Sequence, residues 1–238
     1  MKILVLDSSS SAATVAIMED ERLLVETVIN HQRTHSEKLL PMVEAALKDC
    51  GLKPKEIDVF AVTLGPGSFT GLRIGIAAIK AMAQALGKAT VGISTLDALA
   101  WNLPYVHEMI CPIIDAQRDR VYTASYRWGQ QGMVRLSEYE ILEVAELIKQ
   151  IKETGDRTIF VGDGIERFQG QLEAGLGALA VFPPKAWQFP RGTALGELAR
   201  AAVERGDLVP AQDLLPIYMR LSQAEKQFEE RMAKEGRA

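Results

Sequence analysis

The sequence predicts an α/β protein of two duplicated lobes, each with a mixed β-sheet flanked by helices. The first half orders its hydrophobic patterns as β-β-β-α-β-α-β-α, and the second half begins with the same strand, aspartate turn and strand as the first. The chain has 238 residues, 47% of them hydrophobic, which is enough for a large core. We place an N-terminal lobe at 1–104, a degenerate C-terminal lobe at 105–220 and a charged helical tail at 221–238.

The first half opens with three short strands in an antiparallel meander. Apolar runs predict these strands at 2–6, 14–18 and 23–28, with polar turns between them. An amphipathic helix follows over 36–50, and Gly51 is a typical helix stop. Strands and helices then alternate over 58–64, 72–86, 90–93 and 95–101.

The second half repeats the opening with less regular elements. Its strands are predicted at 109–114, 121–126, 133–142, 158–161 and 179–181, and its helices at 144–152 and 193–205. Asp7 and Asp115 then end equivalent strands. This order is that of a lobe of the actin, hexokinase and Hsp70 type of ATPase, in which the turn after the first strand faces the nucleotide phosphates. We therefore expect the actin-like ATPase (ASKHA) fold.

A glycine-rich corner joins the predicted strand 58–64 to the following helix. Gly65 and Gly67 permit unusual backbone angles, Pro66 removes an amide donor, and Ser68 or Thr70 can cap the helix on either side of Phe69. A bare helix N-terminus could bind an anion, or the glycines could allow close packing. The spacing fits neither a P-loop nor a dinucleotide fingerprint, and we favour packing.

The two aspartate turns differ in their suitability for phosphate. The first is compact and rich in hydroxyl groups, which predicts a weak nucleotide site at Asp7, Ser8 and Ser9. The second carries the bulky, charged residues 117–120 where glycines would let phosphate approach the backbone. We therefore expect no tightly bound cofactor in the lone chain.

Motifs for metal or nucleophilic chemistry are weak. His31 and His35 form an H-x-x-x-H pair, but a helix cap at Thr34 or Ser36 would separate them, and no third ligand is evident. There is no Gly-x-Ser-x-Gly elbow, and the chain has only three histidines. We predict neither a metal site nor catalytic residues.

Charge and cysteine content narrow the class of protein. The net charge is −4, from 27 basic and 31 acidic residues, so no global basic field favours nucleic acid. Cys50 and Cys111 are too few for a disulfide framework, which predicts buried, reduced thiols and a cytoplasmic protein. No apolar run is long enough to predict a membrane span.

Six segments of the sequence form one recognisable set: 3–9, 33–41, 65–75, 93–96, 114–118 and 216–220. Together they resemble one family, TsaB (YeaZ), of bacterial tRNA threonylcarbamoyladenosine biosynthesis, and the resemblance extends to about Arg220. It implies a non-catalytic subunit that pairs with a catalytic paralogue, TsaD, and a small ATPase, TsaE. The complex uses ATP and magnesium to transfer a threonylcarbamoyl group to the adenosine beside the anticodon, so tRNA is reached indirectly.

The resemblance also implies a partner surface on the helices of the N-terminal lobe, with a homodimer when the paralogue is absent. The implied contacts are apolar or small residues together with one arginine: Leu39, Met42, Val43, Gly71, Arg73, Gly75, Ala78 and Met82. His31 and His35 do not inherit the paralogue's metal site, because they occupy a different segment.

Two other functions remain open at this point. One is a stand-alone phosphotransferase or ATPase that uses Asp7 and Asp115 around a magnesium-nucleotide. The other is a metallopeptidase, for which the sequence offers no credible ligand set.

Overall fold

Two β-sheets organise the computed structural model, which describes residues 1–30, 35–130, 132–217 and 219. The first sheet has five strands in the order β3-β2-β1-β4-β5. Its strands are β1 (Lys2–Asp7), β2 (Ala13–Glu19), β3 (Arg22–Ile29), β4 (Val59–Gly65) and β5 (Ala89–Ser94). The first three strands pair antiparallel, while β4 pairs parallel with both β1 and β5. The mixed sheet of the first lobe is therefore as predicted.

Helices cover both faces of this sheet. The helices of the first half are α1 (His35–Asp49), α2 (Phe69–Leu86) and α3 (Thr95–Trp101). Helices α1 and α2 bury one face, where Leu4 and Leu6 of β1 share a core cluster with Leu39 and Ile79. This arrangement follows from the sequence, because the apolar stripes of both helices repeat at helical spacing.

The second sheet has seven strands, and its main path runs β10-β7-β6-β11-β12. The elements of this half are β6 (Met109–Asp115), β7 (Arg120–Thr123), β8 (Tyr126–Gly129), β9 (Gly132–Arg135), β10 (Glu140–Glu143), α4 (Val144–Thr154), β11 (Thr158–Val161), α5 (Gly164–Leu176), β12 (Ala180–Val181) and α6 (Gly192–Arg205). Strands β6, β11 and β12 are parallel.

Three predictions for the second half need correction. The strands expected at 121–126 and 133–142 are each divided in two, because β7 pairs with one end of β6 and β8 with the other. Helix α5 was not predicted, although four of its buried residues recur at helical spacing: Ile165, Phe168, Leu172 and Leu176.

The predicted boundary at residue 104 does separate the two sheets. The C-terminal part of the chain, however, packs on the first lobe. Helix α6 returns to the first lobe, where Leu195 and Ala199 join Ile3 and Val5 in one core cluster. Residues 206–217, which we call the C-terminal strap, continue over the same lobe. Val209 pairs with Thr90 of β5, and Lys80 Nζ of α2 donates to the carbonyl of Gln212 at 2.9 Å. Assigning 105–220 as a whole to the second lobe was therefore wrong.

Some predictions lie outside the described residues. They concern His31, the tail 221–238 and the terminal motif residues Tyr218 and Arg220. Within the described chain, no helix is both long enough and apolar enough to cross a bilayer.

Candidate functional site

The glycine-rich corner packs directly on the first aspartate turn. The Ser68 N–H donates to the carbonyl of Ser9 at 2.7 Å, and the Ser8 hydroxyl donates to the carbonyl of Gly71 at 2.9 Å. Ser68 also caps α2, because its Oγ accepts from the Gly71 N–H at 3.2 Å. The N–H groups of Ser68 and Gly71 are therefore bonded within the chain rather than directed at an anion.

The glycines make this contact sterically possible. A Cβ on Gly67 would overlap the carbonyl oxygen of Ser9, and a Cβ on Gly71 would overlap that of Ser8. A Cβ on Gly75 would meet the Ser8 hydroxyl. The glycines of the corner therefore allow close packing, and the surface against which the corner packs is the chain's own first turn.

Asp7 is held beneath this contact. Its side chain is fully buried, and Oδ1 accepts from the Thr63 hydroxyl at 2.6 Å and from the Ser9 N–H at 3.1 Å. Ser8 and Ser9 are 0% and 2% exposed. This arrangement does not favour the weak nucleotide site predicted at these three residues, because the glycine-rich corner covers Ser8 and is bonded to the Ser9 carbonyl.

The second aspartate turn is filled by its own side chains. Asp115 accepts from the Gln117 N–H at 2.7 Å, and Arg167 of α5 donates to Asp115 at 3.3 Å and to Asp119 at 2.9 Å. Gln117, Arg118 and Asp119 all have positive φ, between 54° and 62°, which is unusual for residues with a Cβ. As predicted, this turn is bulky and charged.

A narrow cleft remains between the two lobes. Its enclosed free space is about 10 Å³, which is room for about one water molecule. The lining combines the first turn, the start of α3, the end of β6, the turn before α5 and the segment before α6: Ser9, Ser10, Thr95, Leu99, Ile114, Asp163, Gln188 and Pro190. The magnesium-nucleotide that an actin-like fold implies does not fit this cleft.

Asp163 is a candidate site residue that the sequence analysis did not identify. It lies in the Gly162-Asp163-Gly164 turn after β11, and a carboxylate between two glycines at the end of a strand was the available signal. The pKa of Asp163 is raised from 3.8 to about 6, chiefly by burial and additionally by the carboxylates of Asp115 and Asp7, while a hydrogen bond from the Asp115 backbone partly offsets the rise.

This raised pKa predicts a specific pH dependence of stability. Between pH 3.8 and about 6 the folded chain binds more protons than the unfolded chain, so the contribution of Asp163 falls as the pH rises through this window and is constant above it. The full loss is about 2–3 kcal/mol. In urea unfolding in choline chloride buffer without sodium or potassium, the stability of Asp163→Asn relative to the native protein should rise by about 2 kcal/mol between about pH 4.5 and pH 7. If the difference in unfolding free energy between the two proteins did not change with pH, the raised pKa of Asp163 would be contradicted.

The implied partner-surface residues divide into two groups. Leu39, Met42, Val43, Gly71 and Gly75 are buried in the chain's own core or against the first turn. The prediction that these five residues form exposed partner contacts is therefore corrected, because they pack inside the monomer. Arg73 is exposed and Ala78 and Met82 are partly exposed, so these three remain available to a partner.

The outer face of α2 is formed by Phe69, Arg73, Ala77, Ala81 and Ala85, which are all exposed and spaced four residues apart. The Arg73 guanidinium lies 3.9 Å from the centre of the Phe69 ring. The three alanines project only methyl groups from the rest of this row, so another helix could approach closely.

Other candidate chemistry is limited in the described residues. The part of the chain that the structure describes contains no group of three or more His, Cys, Asp or Glu side chains placed to hold a metal. Cys111 is fully buried, and burial raises the pKa of its thiol to about 12, as expected of the structural thiol that we predicted. Cys50 is only partly buried.

Comparison with known proteins gives consistent results for sequence and fold. The model of the family described as TsaD, tRNA N6-adenosine threonylcarbamoyltransferase, matches residues 23–228. The tRNA threonylcarbamoyladenosine biosynthesis protein TsaB of Bacillus subtilis is 29% identical over 228 residues, which is 96% of this chain and 98% of that protein. YeaZ from Pseudomonas aeruginosa is 27% identical with a TM-score of 0.75, over 92% of this chain and 99% of that structure.

A more distant structure bears on the fold alone. The activator of 2-hydroxyisocaproyl-CoA dehydratase from Clostridium difficile has a TM-score of 0.50 at 14% identity, over 92% of this chain and 100% of that structure. The actin-like fold predicted from the order of elements is confirmed.

Proposed function

Because this chain belongs to the TsaB (YeaZ) family of tRNA threonylcarbamoyladenosine biosynthesis proteins, we propose that it is the non-catalytic activating subunit of the complex that transfers the threonylcarbamoyl group to tRNA. In this proposal a catalytic paralogue of the TsaD type performs the transfer, and a small ATPase of the TsaE type uses ATP and magnesium. The assembly works in the cytoplasm, and tRNA reaches this chain only through the complex.

The packing of the glycine-rich corner carries the non-catalytic part of the proposal. In an actin-like ATPase the first turn must stay open to phosphate, but here Ser8 and Ser9 are covered by Gly71 and Ser68. The Asp7 carboxylate accepts hydrogen bonds from the Thr63 hydroxyl and from the Ser9 N–H of the turn itself. A chain that keeps the fold and closes its nucleotide site is suited to act through its surface.

The surface that we propose for the catalytic paralogue is the outer face of α2. Its exposed alanines lie on a helix that is rigidly backed, because Leu72, Ile76 and Ile79 on the opposite side are buried in the core. A rigid, low helical face lets a second helix approach without losing much side-chain entropy. The same face would form a homodimer when the paralogue is absent, since one helix can pack on its symmetry mate.

Reconstitution with one subunit omitted at a time tests this function. This chain, the catalytic paralogue and the small ATPase of the same organism are combined with tRNA, threonine, bicarbonate and Mg-ATP, and modified adenosine is measured by mass spectrometry of the nucleosides. We expect modification to fall to background when this chain is left out, and this chain alone to give none. Full modification without it, or turnover of Mg-ATP by the chain alone, would contradict the proposal.

A further inference from the structure

The cleft between the lobes contains buried polar atoms for which the described structure provides no partner. They are the hydroxyl oxygens of Ser9 and Thr95 and the Oδ1 atom of Asp163. Ser9 and Thr95 are each 2% exposed, and all three residues line the same cleft. Buried polar atoms in native proteins are nearly always satisfied, so an atom or molecule that belongs in this cleft should supply the missing contacts.

We propose that this cleft binds a single monovalent cation, sodium or potassium, between the Asp163 carboxylate and the hydroxyl oxygens of Ser9 and Thr95. This proposal is independent of the role in tRNA modification. It also differs from the magnesium that accompanies a nucleotide in actin-like ATPases, because the ion would be bound by the protein alone.

The chemistry of the lining favours a cation over an anion. The polar residues that line the cleft offer hydroxyl, amide and carboxylate oxygens, and none of them is basic. The guanidinium of Arg167, which reaches the second turn from α5, is already bonded to Asp115 and Asp119. Asp163 therefore stands in the negative field of neighbouring carboxylates without forming an ion pair of its own in the described chain.

The same chemistry favours a monovalent over a divalent ion. Calcium and magnesium sites normally use several carboxylates, or one or two together with substrate phosphates. This lining contains one carboxylate, and the described residues include no group of three or more potential charged or imidazole ligands. One negative charge among neutral oxygens matches the charge of sodium or potassium.

The position of the site suggests what the ion would do. Ser9 lies in the turn after β1, Thr95 begins α3, and Asp163 lies in the turn before α5. An ion held by all three would connect both lobes and neutralise a buried carboxylate. The ion would thus fix the spacing of the lobes in a fold whose relatives by architecture place a nucleotide between them.

Thermal unfolding in matched salts tests the site. The full chain is unfolded in about 0.15 M choline, sodium or potassium chloride, since choline is too large to enter the cleft. Binding to the folded state alone should raise the melting temperature by about 2–4 °C in sodium or potassium relative to choline. The difference should disappear in Asp163→Asn and shrink in Thr95→Val, and it should persist in Asp207→Asn, which removes an exposed carboxylate by the same substitution.

The readout is the difference between salts, so a change in the basal stability of a variant does not confuse it. Crystals grown with rubidium or thallium provide a direct second measurement, with an anomalous peak expected beside Asp163. Equal melting temperatures in all three salts, a salt difference that survives Asp163→Asn, or a cleft that holds only water would each overturn the proposal.

Discussion

Replacing Gly71 by alanine should destabilise the protein by about 3 kcal/mol, equivalent to a melting temperature about 6–12 °C lower. The added Cβ would overlap the carbonyl oxygen of Ser8, and backbone on both sides of the contact leaves little room to move. The hydrogen bond from the Ser8 hydroxyl to the Gly71 carbonyl, 2.9 Å long, would be distorted at the same time. Differential scanning calorimetry of the purified chain provides the measurement.

Gly170 supplies a matched control for this substitution. It lies within α5, and a Cβ built on it has no neighbour within 4 Å. Gly170→Ala should therefore raise stability by about 0.5–1 kcal/mol through helix propensity alone. If Gly71→Ala were tolerated as well as Gly170→Ala, the glycine-rich corner would not be a packing device, and the anion interpretation would return.

Replacing Ala81 by arginine should weaken association with the catalytic paralogue at least tenfold, or about 1.4 kcal/mol, without unfolding the monomer. Ala81 lies in the middle of the outer face of α2 and is exposed, so the long side chain has room in the free protein. In a close helix-to-helix contact it would hold the two backbones apart. Binding is measured by isothermal titration calorimetry, and the melting temperature of the variant alone reports on its fold.

Ala174→Arg is the corresponding control, because Ala174 is an exposed helical alanine on α5 in the other lobe. It should leave both stability and association within about 0.5 kcal/mol of the native values. Unaltered binding by Ala81→Arg, with a folded monomer, would remove the outer face of α2 from the proposed interface. Ala81→Arg, but not Ala174→Arg, should also fail to form the homodimer in sedimentation experiments.

The order of elements could be predicted because each leaves its own hydrophobic period in the sequence. The strands of the first sheet and the stripes of α1 and α2 depend on local alternation, which a single sequence displays. The packing role of the glycine-rich corner was also accessible, since Gly65 and Gly67 have little other use at a corner without a P-loop lysine.

Side-chain partners were harder to predict, because apolar and small residues look alike in a core and in an interface. Leu39 and Val43 form a stripe that either environment would explain, and only the fold shows that the stripe is buried on β1 and β2. Gly75 is similar, since its contact with Ser8 joins residues far apart in the chain. Nothing local to either residue specifies the partner.

The missed features share a dependence on distant chain segments. Helix α5 contains four glycines within or next to it, which lower its propensity, and its apolar spacing gains meaning only against β11 and α4. Asp163 acquires its raised pKa from burial and from carboxylates in two other turns. The return of α6 to the first lobe is likewise a tertiary choice, made possible by close contacts of Gly192 with Ala16 and of Gly196 with Met18.

The return of α6 also determines when the protein can finish folding. The Thr14 hydroxyl donates to the carbonyl of Pro190, 176 residues later, and α6 supplies the cover for Ile3 and Val5. During synthesis the first sheet therefore leaves the ribosome with one apolar face bare, and stays so until nearly the whole chain has emerged. Contacts of such long range slow folding and expose the nascent chain to aggregation. A chain truncated before α6 would therefore be an aggregation-prone fragment rather than a smaller functional domain.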